Sequence, residues 1–270
     1  MKLVKSRDNP EFRKLLKLSS SSRERRASSM TILEGEHIVE AYRASGAVAE
    51  ALIAGESAFQ APRLRALFER TPAKTRLLIS DRLVSQLSQV ATAAGLFAVI
   101  RTSVSEAAPE PRENCLLLES IQDPGNVGSI FRSAVAAGVR RIFLSPGSVF
   151  AWAPKVVRAG QGAHFLLSIG EKAPLVDVSR AFQGKVVATD PHASTDLYHA
   201  DLSGPVAWLF GNEGSGLSAE LAAAATLRVR IPMPGPAESL NVAAAAAICL
   251  FEQVRQNVAR RPPAPAIASS

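Results

Sequence analysis

Three short clusters hold the side chains of this 270-residue sequence that are best placed for chemistry. The first, QDPGNVGSIFR from Gln122 to Arg132, stands at the entry to a predicted helix. Val127, Ile130, Phe131, Ala134 and Val135 recur there at i, i+3, i+4, i+7 and i+8 and make one apolar face. Asn126, Ser129, Arg132 and Ser133 share the other half, so Arg132 projects into solvent or a cleft, and Asn126 either meets a ligand or caps the helix. The second cluster, GNEGSGLS from Gly211 to Ser218, sets Asn212 and Glu213 between glycines that let the backbone approach a ligand closely. Its plainer reading is a strand-to-helix turn capped by Ser218. The third, IPMPGPAESLNV from Ile231 to Val242, joins an apolar strand end, a rigid proline-rich loop and polar residues at a helix start. There Ser239 is suited to capping and Asn241 to facing water.

These residues exclude several familiar chemistries. The glycines of the second cluster sit where a Walker A loop would have them, but Leu217 replaces the phosphate-binding lysine and Glu213 would set a carboxylate beside the anion. No G-x-G-x-x-G follows a predicted strand, and no G-x-S-x-G surrounds a serine. His37, His164, His192 and His199 lack metal or triad spacing. Cys115 and Cys249, far apart in the chain, suggest neither a zinc site nor a disulfide framework, which fits a reducing compartment.

Each cluster stands at the carboxyl end of a predicted strand, where an open parallel sheet binds its ligands. Strands are predicted at 115–118, 141–144, 165–169, 186–189, 206–210 and 227–231, and helices at 127–137, 155–159, 175–182, 219–225 and 240–258. This alternation implies an α/β fold, a mostly parallel sheet with helices on both faces. Five alanines, Ala243 to Ala247, let the last helix approach a neighbour closely, in the core or at a subunit interface. Residues 31–104 read as a smaller α/β unit, with helices at 36–45, 63–69 and 83–89 and strands at 51–54, 77–79 and 97–101. The proline- and acid-rich stretch 105–112 reads as a linker, and 260–270, RRPPAPAIASS, as a disordered tail.

A 47% hydrophobic and 20% charged chain can build a core, which rules out disorder throughout. Its net charge of +7 favours polyanions such as nucleic acid. Residues 1–30 hold nine Lys or Arg against three acids, a basic arm suited to phosphates or simply to solvent. The sequence has no apolar run of membrane-spanning length and no secretory signal core at its amino terminus, so a cytoplasmic protein without membrane contact is expected.

In this order and spacing the three clusters resemble the motifs of the SpoU (TrmH) family of RNA ribose 2′-O-methyltransferases, within the SPOUT superfamily. The matching residues are N-x-G-x-x-x-R at Asn126 to Arg132, G-N-E-G-x-G-L at Gly211 to Leu217, and I-P-M-x-G-x-x-E-S-L-N-V at Ile231 to Val242. The resemblance covers about 113–258. More loosely, LEGEH at Leu33 to His37 is similar to the helix entry of the ribosomal-protein-L30-like substrate-binding domain that many members carry.

The resemblance implies an α/β methyltransferase domain over 113–259, tied into a deep trefoil knot, preceded by an L30-like α/β domain over 31–104. It implies S-adenosyl-L-methionine (AdoMet) as methyl donor, no metal, and a homodimer formed through the knot region. By position, Leu209, Gly211, Ile231, Met233 and Leu240 would hold the cofactor, and Asn126, Arg132, Glu213, Ser239 and Asn241 would form the catalytic set. Transfer to a ribose 2′-OH requires in-line approach and loss of a proton from a poor nucleophile. A guanidinium keeps its charge, so the role physically suited to Arg132 is to pair with an RNA phosphate and stabilise the developing alkoxide, with deprotonation only in a strongly perturbing site. Glu213 would repel phosphates and is expected to bind a ribose hydroxyl or backbone N–H groups and to hold its loop. The expected substrate is 23S-type ribosomal RNA, because the accessory domain is more typical of members that modify ribosomal RNA. The alternatives are a tRNA 2′-O-methyltransferase and a non-catalytic RNA-binding or ribosome-assembly protein, against which Arg132, Glu213 and Asn241 together argue. A methyltransferase protecting the ribosome from an antibiotic would carry the same residues.

Overall fold

The computed structural model describes residues 3–90, 93–103 and 110–259. The expected linker lies mostly, and the expected tail wholly, outside the described residues. In chain order the first elements are β1 (Leu3–Val4), α1 (Pro10–Ser20), α2 (Ser22–Ser28), β2 (Met30–Glu34), α3 (Glu36–Ala44), β3 (Ala49–Gly55), α4 (Glu56–Gln60), α5 (Pro62–Arg70), β4 (Ala73–Ile79), α6 (Asp81–Leu87) and β5 (Leu96–Arg101). There follow β6 (Cys115–Leu118), α7 (Pro124–Ala136), β7 (Arg141–Leu144), α8 (Pro154–Gly160), β8 (Ser168–Gly170), α9 (Leu175–Ala181) and β9 (Lys185–Thr189). The last are β10 (Thr195–Asp196), β11 (Val206–Phe210), α10 (Ala219–Ala223), β12 (Leu227–Arg230) and α11 (Val242–Ala259). The strand expected at 165–169 is a 3-10 turn, Ala163–Leu166, followed by the short β8.

The described residues form two compact units, one of 3–90, 93–103, 123–132 and 149–171 and another of 110–122, 133–148 and 172–259. The first is built on a mixed sheet ordered β1-β4-β3-β5-β2, in which β5 runs antiparallel to both its neighbours. The basic segment at the amino terminus does not stand apart as an arm. β1 pairs with β4, and α1 lays Phe12, Leu15 and Leu18 into a core with Ile53, Ile79, Leu83 and Phe97. The cause is local: the Asn9 side chain accepts from the Glu11 and Phe12 N–H groups, Pro10 opens the helix, and the apolar residues recur every third position. Arg25 is buried too, and its Nη1 donates to Leu18 O at 2.6 Å and Ser19 O at 3.1 Å, which satisfies carbonyls at the end of α1.

In the second unit six strands run in the order β10-β12-β9-β11-β6-β7, parallel at every pairing. β6 and β11 are buried at every residue, the continuous apolar pattern of a sheet covered on both faces. Leu117, Phe143, Val178, Phe182, Val186, Leu209 and Leu221 pack one face. Parallel pairing brings the carboxyl ends of β6, β11, β9 and β12 to one edge. The chain leaves β6 toward β7 and leaves its neighbour β11 toward β12, in opposite directions, the arrangement that opens a crevice beyond the strand ends. Among the described residues no helix is long and apolar enough to cross a membrane.

Candidate active site

α7 begins three residues earlier than the apolar periodicity suggested. Asp123, not Asn126, is its cap: the Asp123 Oδ1 accepts from the Asn126 N–H at 2.8 Å and Pro124 fills the first helical position. Val127, Ile130, Phe131 and Ala134 have no exposed surface, and Arg132 is exposed on the opposite side, as the pattern required. Asn126 is half-buried one turn and a half before it. Gly128 permits the approach of α8, since a Cβ there would lie 2.4 Å from the Ala159 Cβ and 2.7 Å from the Val156 carbonyl oxygen.

Beneath this helix lies His164, 1% exposed. Its ring meets Phe131 edge-on at 5.0 Å and Trp152 at 5.0 Å, and Nε2 donates to the Ala151 carbonyl at 2.8 Å. Burial pushes its pKa down to about 4, against a small opposing effect of the Ala151 hydrogen bond, so the imidazole is neutral at neutral pH.

In the second unit the end of β6 and the loop after β11 are laced together. The Glu119 N–H donates to Phe210 O at 2.9 Å, and the Glu119 Oε2 accepts from the Ser218 N–H at 2.7 Å. Ser120 takes a left-handed φ of 54°, held by donation of its N–H to Ser145 Oγ at 2.9 Å and of Asn212 Nδ2 to its carbonyl at 2.8 Å. Asn212 also closes the loop itself. Its N–H and carbonyl exchange bonds with Gly216 at 3.0 and 2.9 Å, and its Oδ1 accepts from the Gly214 and Ser215 N–H groups at 2.9 and 3.1 Å. Gly211 lies so close under this closure that a Cβ would stand 2.2 Å from the Gly216 carbonyl carbon. Glu213 is thereby presented on the exposed side of a closed loop, while Leu209 behind it has no exposed surface.

The third cluster follows β12. Ile231 and Met233 are half-buried, and Ser239, Leu240 and Asn241 are exposed. Asn241, rather than Ser239, caps α11, its Oδ1 accepting from the Ala243 and Ala244 N–H groups at 2.9 and 3.3 Å. Among the described residues, no N–H from 233 to 240 donates to another backbone group. The site residues thus gather as Asn126 and Arg132 on α7 in the first unit, and as Leu209, Gly211 and Glu213 around the β11 loop and Ile231, Met233, Ser239, Leu240 and Asn241 along one segment in the second. Glu119 and Ser120 were not singled out from the sequence, and His164 was set aside there for want of metal or triad spacing. Glu119 had one signal, its place directly after a predicted strand; Asn212 stood inside a motif, but its locking role did not.

Residues 113–251 match the model of the SpoU rRNA Methylase family. An uncharacterized tRNA/rRNA methyltransferase of Synechocystis is 31% identical over 269 residues, 96% of this chain and 96% of its own. The 23S rRNA (guanosine(2553)-2'-O)-methyltransferase of Bacillus subtilis is 30% identical over 259 residues, 93% of this chain and 98% of its own. The crystal structure of the SpoU methyltransferase AviRb from Streptomyces viridochromogenes, in complex with AdoMet, superposes with a TM-score of 0.84 at 26% identity, over 94% of this chain and 100% of its own.

Proposed function

Because the chain belongs to the SpoU rRNA methylase family, we propose that it methylates a ribose 2′-OH of ribosomal RNA, of the 23S type, with AdoMet as donor. The observation that carries this reading is the family match over 113–251, the stretch that holds all three motif clusters. The chain is an RNA methyltransferase.

The residues fit the cofactor. The stretch 233–240 keeps its N–H groups out of backbone pairing, Ile231 and Met233 offer half-buried apolar surface, and Leu240 is an apolar side chain left 39% exposed. Such a surface suits a purine nucleoside held by backbone groups and apolar walls. We assign the cofactor to Gly211, Ile231, Met233 and Leu240, with Leu209 fixing the strand end from the core. AdoMet supplies an electrophilic sulfonium methyl. Arg132 pairs with an RNA phosphate and stabilises the alkoxide forming at the 2′ oxygen. Asn126 and Ser239 orient the nucleotide, Glu213 accepts a hydrogen bond from a ribose hydroxyl, and Asn241 is oriented by its cap.

The first unit is assigned to RNA docking, as an L30-like domain. Five of its cations are ion-paired with Glu36, Glu40 and Glu50: Arg43 and Arg70 with Glu40, Arg63 with Glu36, and Lys74 and Arg101 with Glu50. Lys5, Arg7, Arg13, Lys14, Lys17 and Arg23 are exposed and, among the described residues, join no ion pair. Cations in that state suit phosphates. The homodimer is part of the proposal, supported by an apolar stripe on α11 on which Phe251 is 48% and Val258 61% exposed. The trefoil knot and a cytoplasmic location belong to the same reading.

The test is transfer of tritium from labelled AdoMet to unmodified 23S rRNA transcripts, with nucleoside mapping. A 2′-O-methylated nucleotide is expected, and Arg132→Ala is expected to reduce transfer about a hundredfold or more while AdoMet binding by calorimetry is kept. Label on a base, or no transfer to any RNA by folded protein, overturns the proposal.

A further inference from the structure

We propose that the amino-terminal sheet sets the position of α7, and with it Arg132, through a clamp formed by residues 149–166, with His164 as its central positioning residue. The proposal rests on the catalytic role given to Arg132 above. On the sheet side, the buried Thr31 of β2 donates its hydroxyl to Trp152 O at 2.7 Å, and Trp152 Nε1 donates to Ser103 O, just beyond β5, at 3.2 Å. Trp152 is therefore fastened to β2 and to the segment that leaves β5, its paired neighbour. Around it, the Arg26 guanidinium lies 4.6 Å over the Phe150 ring, and the Tyr42 ring meets Phe165 edge-on at 5.2 Å.

On the helix side, Gly128 sits against α8 with no room for a side chain, and Phe131 sits against His164. The imidazole is the piece shared by both sides. One flank touches Trp152, another touches Phe131, and Nε2 ties it to the backbone of Ala151. Among the described residues its Nδ1 has no hydrogen-bond partner, so the Ala151 bond and the ring packing are what the position uses. Close-packed interiors transmit displacement, so a shift of Trp152 relative to the sheet carries the imidazole and the Phe131 end of α7 with it. Phe131 directly precedes Arg132. The sheet that docks RNA and the guanidinium that meets the reacting nucleotide thus move as one body, and His164 acts without touching RNA or cofactor.

The experiment compares wild type with Thr31→Val, which removes the hydroxyl at nearly constant shape, Thr31→Ser, which keeps it, and His164→Gln. Hydrogen exchange of the α7 amides is measured alongside kcat and KM for the 23S transcript and the AdoMet Kd. Thr31→Val and His164→Gln are expected to speed exchange in α7 and lower kcat about tenfold, with KM and AdoMet Kd unchanged. Thr31→Ser is expected to restore both readings. Folded Thr31→Val or His164→Gln with wild-type α7 exchange and wild-type kcat overturns the clamp. If Thr31→Val fails to fold, His164→Gln decides alone. Absence of transfer by wild type would instead strike the function proposed above, and the exchange measurement would still decide the clamp.

Discussion

Acid should find a weak point at His164. Its ring neighbours are Phe131, Trp152 and Gly160, none of them charged or titratable, and the hydrogen bond to Ala151 O only partly offsets the cost of burying a proton there. Burial lowers its pKa from 6.5 to about 4. Above pH 6.5 the residue is neutral in the folded and unfolded chain alike and adds no pH dependence. As pH falls below 6.5 the unfolded chain takes up a proton that the native state refuses, so stability declines until the native pKa is reached. The loss attributable to this one group is about 2 kcal/mol at pH 5 and approaches about 3 kcal/mol near pH 4. Urea unfolding at pH 7 and pH 5 measures it, followed through tryptophan fluorescence in a Trp208→Phe background so that the signal comes from Trp152 beside the ring. Wild type should lose about 2 kcal/mol more than His164→Gln between these two conditions. Equal losses in the two proteins would refute the reasoning, because they would mean that His164 is protonated in place or is open to water.

The other two predictions concern packing. Gly211→Ala should weaken AdoMet binding about tenfold or more by calorimetry, since its Cβ would collide with the backbone that closes the loop and the loop would have to open. Phe12→Ala should destabilise the first unit by about 3–5 kcal/mol in urea titration, whereas a solvated basic arm would show almost no change.

The sequence made the central strands legible at nearly their observed bounds. β6, β7 and β11 are short apolar runs, and the physics of a covered parallel sheet leaves little else for them to be. α1 was missed because six of its eleven residues are polar or charged around the stripe of Phe12, Leu15 and Leu18, although Asn9 and Pro10 were a readable start signal. β1 and β10, two residues each, carry no period at all. At the site, polar residues at strand ends were readable as a pattern. Their internal bonds were not, because the partners are remote in sequence, as with Glu119 and Ser218 or Asn212 and Ser120. Likewise no local signal could announce that 149–171 belongs with the amino-terminal sheet; that is fixed by Trp152 meeting Thr31 and Ser103.

The segregation of charge within the first unit also governs how a long polyanion arrives. With Arg43, Arg63, Arg70, Lys74 and Arg101 paired to Glu36, Glu40 and Glu50, much of the unpaired positive charge of this unit lies on Lys5, Arg7, Arg13, Lys14, Lys17 and Arg23, beside β1 and on α1 and α2. If this unit docks RNA as proposed, such a charge exerts a torque on it as well as an attraction while the RNA approaches. The gain is kinetic and vanishes as the screening length shrinks below its value of about 8 Å at physiological salt. Because α1 is a rigid part of the core, the orientation won at long range is kept on contact rather than spent in the motion of a loose tail.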